Sequence, residues 1–144
     1  LKTYVVDASV AARFLLGEDL GDEARSVLEG LVGGRHELIA PPVVVYEVGN
    51  ALRTAVARGE VDAGEAREAF SFFLGLNLGR MGASRDMLGD AFAFSLDRGV
   101  SYYDGVYIWS SKSMDAPLLT ADDRQLEAAK GVVSAIHLKD FTLD

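Results

Sequence analysis

Two rhythms of apolar residues run along the chain. Short runs of strand length recur at Tyr4-Val5-Val6, Glu37–Ala40, Pro117–Thr120 and Val133–Ile136, with a brief one around Met81 in Gly79–Ala83. Between them lie longer stretches with helical period. Ser9–Leu16 is predicted as a short helix that stops at Gly17. Asp22–Val32 carries Ala24, Val27, Leu28, Leu31 and Val32, and Gly33-Gly34 ends it. Val43–Arg58 follows Pro41-Pro42, with Val44, Val48, Ala51, Leu52 and Ala55 as its apolar stripe. Glu47, Asn50, Thr54 and Arg58 form a polar stripe on the same helix, and Gly59 caps its end. Asp62–Asn77 begins on an N-cap aspartate answered by Glu65, a capping-box-like pair. Ser84–Arg98 sets Leu88, Ala91, Phe92 and Ser95 on one face before Gly99. Ser101–Ser113 and Arg124–Lys130 complete the helices. Strands alternating with helices predict a parallel sheet sandwiched between helical layers.

The helices Val43–Arg58 and Asp62–Asn77 predict a hairpin whose second arm is unusually greasy. Phe70, Phe73 and Leu74 can share one face there, while Phe72 and Leu76 point elsewhere. One apolar stripe against a core covers only part of such a surface. Burial by neighbouring helices and a protein interface are both open readings. The second predicts self-association and a docked protein partner.

Bulk composition narrows the field. A chain of 144 residues suits one domain, 1–144, and 49% hydrophobic residues suffice for a sizeable core. The formal charge of −8 argues against a simple basic groove for nucleic acid. It leaves room for a nucleic-acid enzyme whose metal ions supply positive charge. Cysteine is absent, which removes disulfides and thiolate chemistry. No run has membrane-span length and no signal-peptide pattern opens the chain, so a cytoplasmic location is expected.

Chemistry is carried by acids at element ends. Asp7 follows the first strand at once, where an open α/β sheet presents functional groups. Asp122 occupies the same place after Pro117–Thr120. Asp104 and Glu47 fall in the first turns of their helices. Each has a plain structural reading as well. Asp7 reads as an N-cap, Asp104 as the second half of a Ser-x-x-Asp cap, Asp122 as an N-cap answered by Gln125, and Glu47 as one solvated residue of a polar stripe. The joint reading brings all four into one groove. Converging carboxylates repel and raise one another's pKa, and a hard divalent cation relieves the repulsion. Oxygen-only donors suit Mg2+ or Mn2+. His36 and His137 fall outside the constellation and read as surface or packing residues.

Four segments in order, VVDASV around Asp7, YEVGNAL around Glu47, SYYDGVY around Asp104 and LLTADDRQL around Asp122, resemble the PIN domain, a family of metal-dependent ribonucleases. Size and motif context are most similar to the VapC-type toxins of toxin–antitoxin pairs. The resemblance covers essentially the whole chain. It implies a three-layer α/β/α fold with a five-stranded parallel sheet in order 3-2-1-4-5. It also implies Asp7, Glu47, Asp104 and Asp122 as a Mg2+ or Mn2+ site that cleaves RNA. Ser9, Asn50 and Thr120 match polar positions near the acids. The Thr-x-Asp pattern favours Asp122 over adjacent Asp123 as the fourth acid. An antitoxin partner and a homodimer are further implications.

Other classes fit less well. An aspartate-nucleophile phosphatase resembles Asp-x-Asp after the first strand, whereas this chain has Asp7-Ala8-Ser9 and no strong lysine motif. A phosphoacceptor receiver lacks its paired acid here. The serious non-enzyme alternative is a catalytically silent PIN-like RNA-binding or assembly subunit, and the intact acids argue against it.

Overall fold

The structure is a computed structural model that describes residues 1–17 and 19–143. Strand β1 spans Lys2–Val6 and is the spine of the sheet, with Val5 and Val6 buried. It pairs in parallel with β2 (His36–Ala40) on one side and β4 (Leu118–Thr120) on the other. Strand β3 (Gly79–Arg80) extends the sheet beyond β2, and β5 (Ala135–His137) extends it beyond β4. The order is β3-β2-β1-β4-β5, all parallel, as the family resemblance implies. Strands buried on both faces read as unbroken apolar runs, which is why β1 and β4 stand out in the sequence.

Seven helices are present among the described residues: α1 Ala8–Leu16, α2 Gly21–Val32, α3 Val43–Ala57, α4 Ala63–Gly75, α5 Arg85–Arg98, α6 Tyr102–Met114 and α7 Asp123–Ala129. A 3₁₀ turn follows at Leu138–Asp140. Together they make a three-layer α/β fold. None of the described helices is long and apolar enough to cross a membrane.

Element ends follow local chemistry. Gly17 and Gly99 end α1 and α5 in the left-handed conformation, at φ 61° and 67°. Pro42 precedes α3 at φ −54°, close to the angle its ring prefers. Asp62 accepts the Glu65 backbone N–H at 2.7 Å, so the predicted cap of α4 forms. Of the apolar stripe predicted for α3, Val44, Val48, Leu52 and Ala55 are buried, while Ala51 is only partly so and lines an open cleft.

Three local predictions shift. The final strand begins two residues late, because the Val132 and Val133 N–H groups donate to the Ala129 carbonyl and finish the turn after α7. On α4, Phe73 is buried and Phe70 partly so, while Leu74 is as exposed as Phe72, at 48% each. On α5 the buried face is Met87, Ala91, Phe94 and Ser95, and Leu88, Phe92 and Leu96 face outward. The face is set by α6. A Cβ on Gly105 would come 2.7 Å from the Ala91 carbonyl oxygen, so the glycine lets the two helices touch backbone to backbone there.

Both histidines are packing residues. His36 is buried edge-on against Tyr4 and Phe141, with Nε2 2.8 Å from the Val27 carbonyl. His137 is buried too, and its Nδ1 accepts the Lys139 N–H.

Candidate active site

Asp7 stands where β1 becomes α1, and its carboxylate does two things. It caps the helix, Oδ1 accepting the backbone N–H groups of Ser9 at 3.0 Å and Val10 at 3.3 Å. It also accepts hydroxyl bonds, from Ser9 Oγ on Oδ1 and from Thr120 Oγ1 on Oδ2. Despite that support the group is 5% exposed, and burial pushes its pKa up to about 6. The Ser9 and Thr120 bonds oppose the rise, and the Asp122 charge adds to it.

The adjacency of β1 and β4 brings Asp122 to the same rim. The Asp7 N–H donates to the Leu119 carbonyl at 3.3 Å, so the two strands end side by side. Thr120 then works as a tie: its hydroxyl donates to Asp7 and accepts the Asp122 N–H at 3.0 Å. Ser9 Oγ completes the link by accepting the Ala121 N–H at 2.9 Å. Asp122 Oδ1 caps α7 through the Arg124 N–H at 2.9 Å. Neighbouring Asp123 faces differently, its exposed carboxylate 3.2 Å from His137 Nε2.

Glu47 arrives on the second turn of α3, half-buried, and Oε1 accepts the hydroxyl of Tyr107 at 2.7 Å. Burial raises the Glu47 pKa, the Tyr107 bond lowers it, and the Asp104 charge raises it further. Tyr107 itself is buried on α6, and burial beside Glu47 raises its pKa, so the phenol stays a donor. Asp104 lies one turn before Tyr107, at the start of α6, where the helix dipole favours a negative charge. Its N–H is capped by Ser101 Oγ at 3.1 Å. Burial raises the Asp104 pKa, Asp122 repulsion adds to it, and Ser101 and Arg124 partly offset the rise.

The four predicted acids therefore form an electrostatic chain: Glu47 feels Asp104, Asp104 feels Asp122, and Asp7 feels Asp122. Ser9 and Thr120 are bonded into it. Asn50 is not; it lies exposed one turn beyond Glu47. Among the described residues no three His, Cys, Asp or Glu side chains stand in a ready-made ligand cluster.

Sequence reading missed two neighbours, Tyr107 and Arg124, and gave a third, Gln125, another partner, Asp122. Tyr107 had a signal: a polar-tipped residue one turn after Asp104 in an otherwise buried stretch of α6. Gln125 is buried and its Nε2 approaches the Asp104 carbonyl at 3.4 Å, a contact that holds α7 to α6. Arg124 Nε stands 3.9 Å from Asp122 Oδ1 at the exposed edge, with no sequence cue.

Comparison with known proteins agrees with this fold. The PIN domain family profile matches residues 4–131. Ribonuclease VapC1 of Mycobacterium tuberculosis is 35% identical over 136 residues, 93% of this chain and 96% of the relative. Ribonuclease VapC3 of Pyrobaculum aerophilum is 31% identical over 134 residues, 90% of this chain and 97% of the relative. Among solved structures, PAE2754 from Pyrobaculum aerophilum superposes with a TM-score of 0.73 at 23% identity, covering 96% of this chain and 92% of that one. A toxin–antitoxin complex from Klebsiella pneumoniae gives a TM-score of 0.56 at 12% identity, covering 94% and 97%. Fold, order of motifs and relatives agree, and the chain belongs to the PIN domain family.

Proposed function

We propose that this chain is a metal-dependent endoribonuclease that hydrolyses RNA phosphodiester bonds and serves as the toxin of a toxin–antitoxin pair. The reading is carried by the row of four mutually repelling carboxylates, Asp7, Glu47, Asp104 and Asp122, at one rim of the sheet. The relatives named ribonuclease VapC support the choice of substrate.

The donor set suits Mg2+ or Mn2+. It is oxygen only, three of its members are raised in pKa by burial and like charge, and no imidazole or thiolate takes part. Asp7, Glu47, Asp104 and Asp122 would hold the ion. When bound, it supplies the positive charge that activates water and stabilises charge building on the phosphate.

The chain's own residues prepare the rim. Ser9 and Thr120 fix both Asp7 oxygens, and Thr120 sets the spacing to Asp122 through that residue's N–H. Tyr107 holds Oε1 of Glu47 and so fixes which way the carboxylate turns. Asp104 stands at a helix N-terminus, whose dipole opposes the rise in pKa that burial and Asp122 impose. An inhibitor protein docking at this rim would present an arginine to the carboxylates and compete with the ion. The −8 charge would steer such a basic partner inward. A toxin–antitoxin complex among the fold's neighbours supports a partner of this kind.

Purified protein is expected to cleave RNA in Mg2+ or Mn2+ and to stop when EDTA is added. Cleavage that survives chelation, once contaminating nuclease is excluded, overturns the mechanism.

A further inference from the structure

Two exposed tyrosines precede two of the acids in sequence, Tyr46 before Glu47 and Tyr103 before Asp104. They belong to different helices, yet both line one open cleft of about 530 Å³. Its other walls are Val43, Glu47, Asn50 and Ala51. On α3 the positions 43, 46, 47 and 50 share one helical face, so ring, carboxylate and amide point the same way. Tyr46 is 75% and Tyr103 53% exposed. Among the described residues neither ring stacks on another and neither hydroxyl has a protein partner. Aromatic rings left this bare contribute little to the fold. The geometry points to a nucleobase subsite: an unpaired base of the RNA strand stacks on Tyr46 and Tyr103, beside the phosphate handled at the acidic rim.

The charge of the chain favours this occupant. With −8 overall and an acidic rim, phosphate contacts to lysine and arginine cannot supply most of the affinity for a strand. Base stacking on aromatic side chains is the other general source, and it tolerates any sequence because every base has a π-face. It also selects unpaired RNA, since a base inside a duplex offers its face to its neighbours. Asn50 in the cleft wall presents both a donor and an acceptor to a base edge. The volume lies within the ~300–1,000 Å³ of small-molecule clefts. Glu47 is shared by cleft and rim, so a base seated here sets which phosphodiester meets the acids.

This inference rests on the ribonuclease reading above, and its test separates the two. Steady-state cleavage of a random-sequence single-stranded RNA 10-mer in manganese is compared for wild type, Tyr46→Ala, Tyr103→Ala and the two Tyr→Phe variants. Each alanine variant is expected to raise KM about 5- to 150-fold, the range spanned by loss of one stacked base. Each phenylalanine variant restores a KM near wild type, because the ring and not the hydroxyl does the stacking. Calorimetric titration with manganese alone is expected to be unchanged in all four, a readout that disruption of the acids would move. The salt dependence of KM keeps its slope, since no phosphate contact is lost. A KM unchanged in both alanine variants overturns the subsite while leaving the ribonuclease reading intact. The subsite is equally overturned if those variants weaken only the hold of an inhibitor protein, which assigns the tyrosines to protein docking. Absence of metal-dependent cleavage by wild type overturns the ribonuclease reading, and the subsite with it.

Discussion

The acidic rim and the outer faces of α4 and α5 violate the ordinary rule of burial in opposite directions. At the rim, a carboxylate that belongs in water is 5% exposed, held by two hydroxyls and two backbone N–H groups. On the outer faces, Phe72, Leu74, Phe92 and Leu96 belong inside and stand 48–67% exposed. An ionised group kept from water costs stability, and exposed apolar area forgoes it. The two regions teach the same lesson by contrast. A buried acid in a bonded network is what the proposed cation site requires, whereas bare apolar stripes are what a proposed protein interface requires. Each half of that contrast is open to a direct experiment.

The largest expected effect falls on Asp104. Asp104→Asn removes a charge from the rim with almost no change of shape, and RNA cleavage in manganese should drop by more than about 100-fold. Circular dichroism should remain that of the wild type. A native-like spectrum with full activity would remove Asp104 from the site.

Asp7 gives the next largest effect, and its sign is unusual. Its folded pKa, about 6, lies above the ordinary 3.8, so the metal-free fold prefers the protonated acid. The stability it contributes is full below about pH 4 and is lost as pH rises through about 6. Asp7→Asn, which cannot ionise, should therefore raise the melting temperature of metal-free protein at pH 7.5. The gain is at most about 3 kcal/mol, the value of a two-unit displacement. It should shrink toward zero as the pH is lowered to about 4. Manganese should reverse the order by stabilising wild type alone, and its affinity for wild type should weaken below about pH 6. Equal melting curves for the two proteins at every pH would show that Asp7 carries no burial penalty.

Tyr107→Phe tests the support behind the rim. Loss of its bond to Glu47 should weaken manganese binding about tenfold by calorimetry, as outer-shell partners of metal ligands do. Unchanged affinity would reduce Tyr107 to a packing residue.

Most of the sheet was legible because its strands are short apolar runs followed by polar residues at their carboxyl ends, Asp7 after β1 and Thr120-Ala121-Asp122 around the end of β4. The positions of Asp7 and Asp122 were legible for the same reason, those of Glu47 and Asp104 from the starts of their helices, and the N-cap readings of the first two are compatible with a place at the rim. Asp7 and Asp122 both cap helices and both stand at the rim. What sequence could not show was which of several partners a side chain meets. The buried face of α5 depends on where Gly105 lets α6 approach, and a pattern of Leu88, Ala91, Phe92 and Ser95 is as regular as the true one. Tyr107 meets Glu47 across 60 positions of sequence, a pairing that only the folded sheet creates. Asn50, one turn after Glu47, shares the tyrosine cleft with it, a placement that the motif alone does not give.

The smallest effect on the folded monomer, and the sharpest on assembly, is expected at the outer faces. Phe72 and Leu96 lie on different helices, α4 and α5, and each is about half or more exposed. Replacing either with glutamate removes little buried area, so monomer stability should change by no more than about 0.5 kcal/mol. If these stripes are covered in solution by a second copy of the chain, a charge placed in the covered area should shift the mass toward monomer. Light scattering across a concentration series reads that shift, and it ranks the two faces. A response to Phe72→Glu alone would assign self-association to the α3–α4 hairpin. A response to Leu96→Glu alone would move it to the α5 stripe of Leu88, Phe92 and Leu96. A strictly monomeric wild type at high micromolar concentration would remove the homodimer and leave both stripes to a different protein. In that case the contrast between rim and outer faces survives, with the inhibitor as the remaining candidate for the cover.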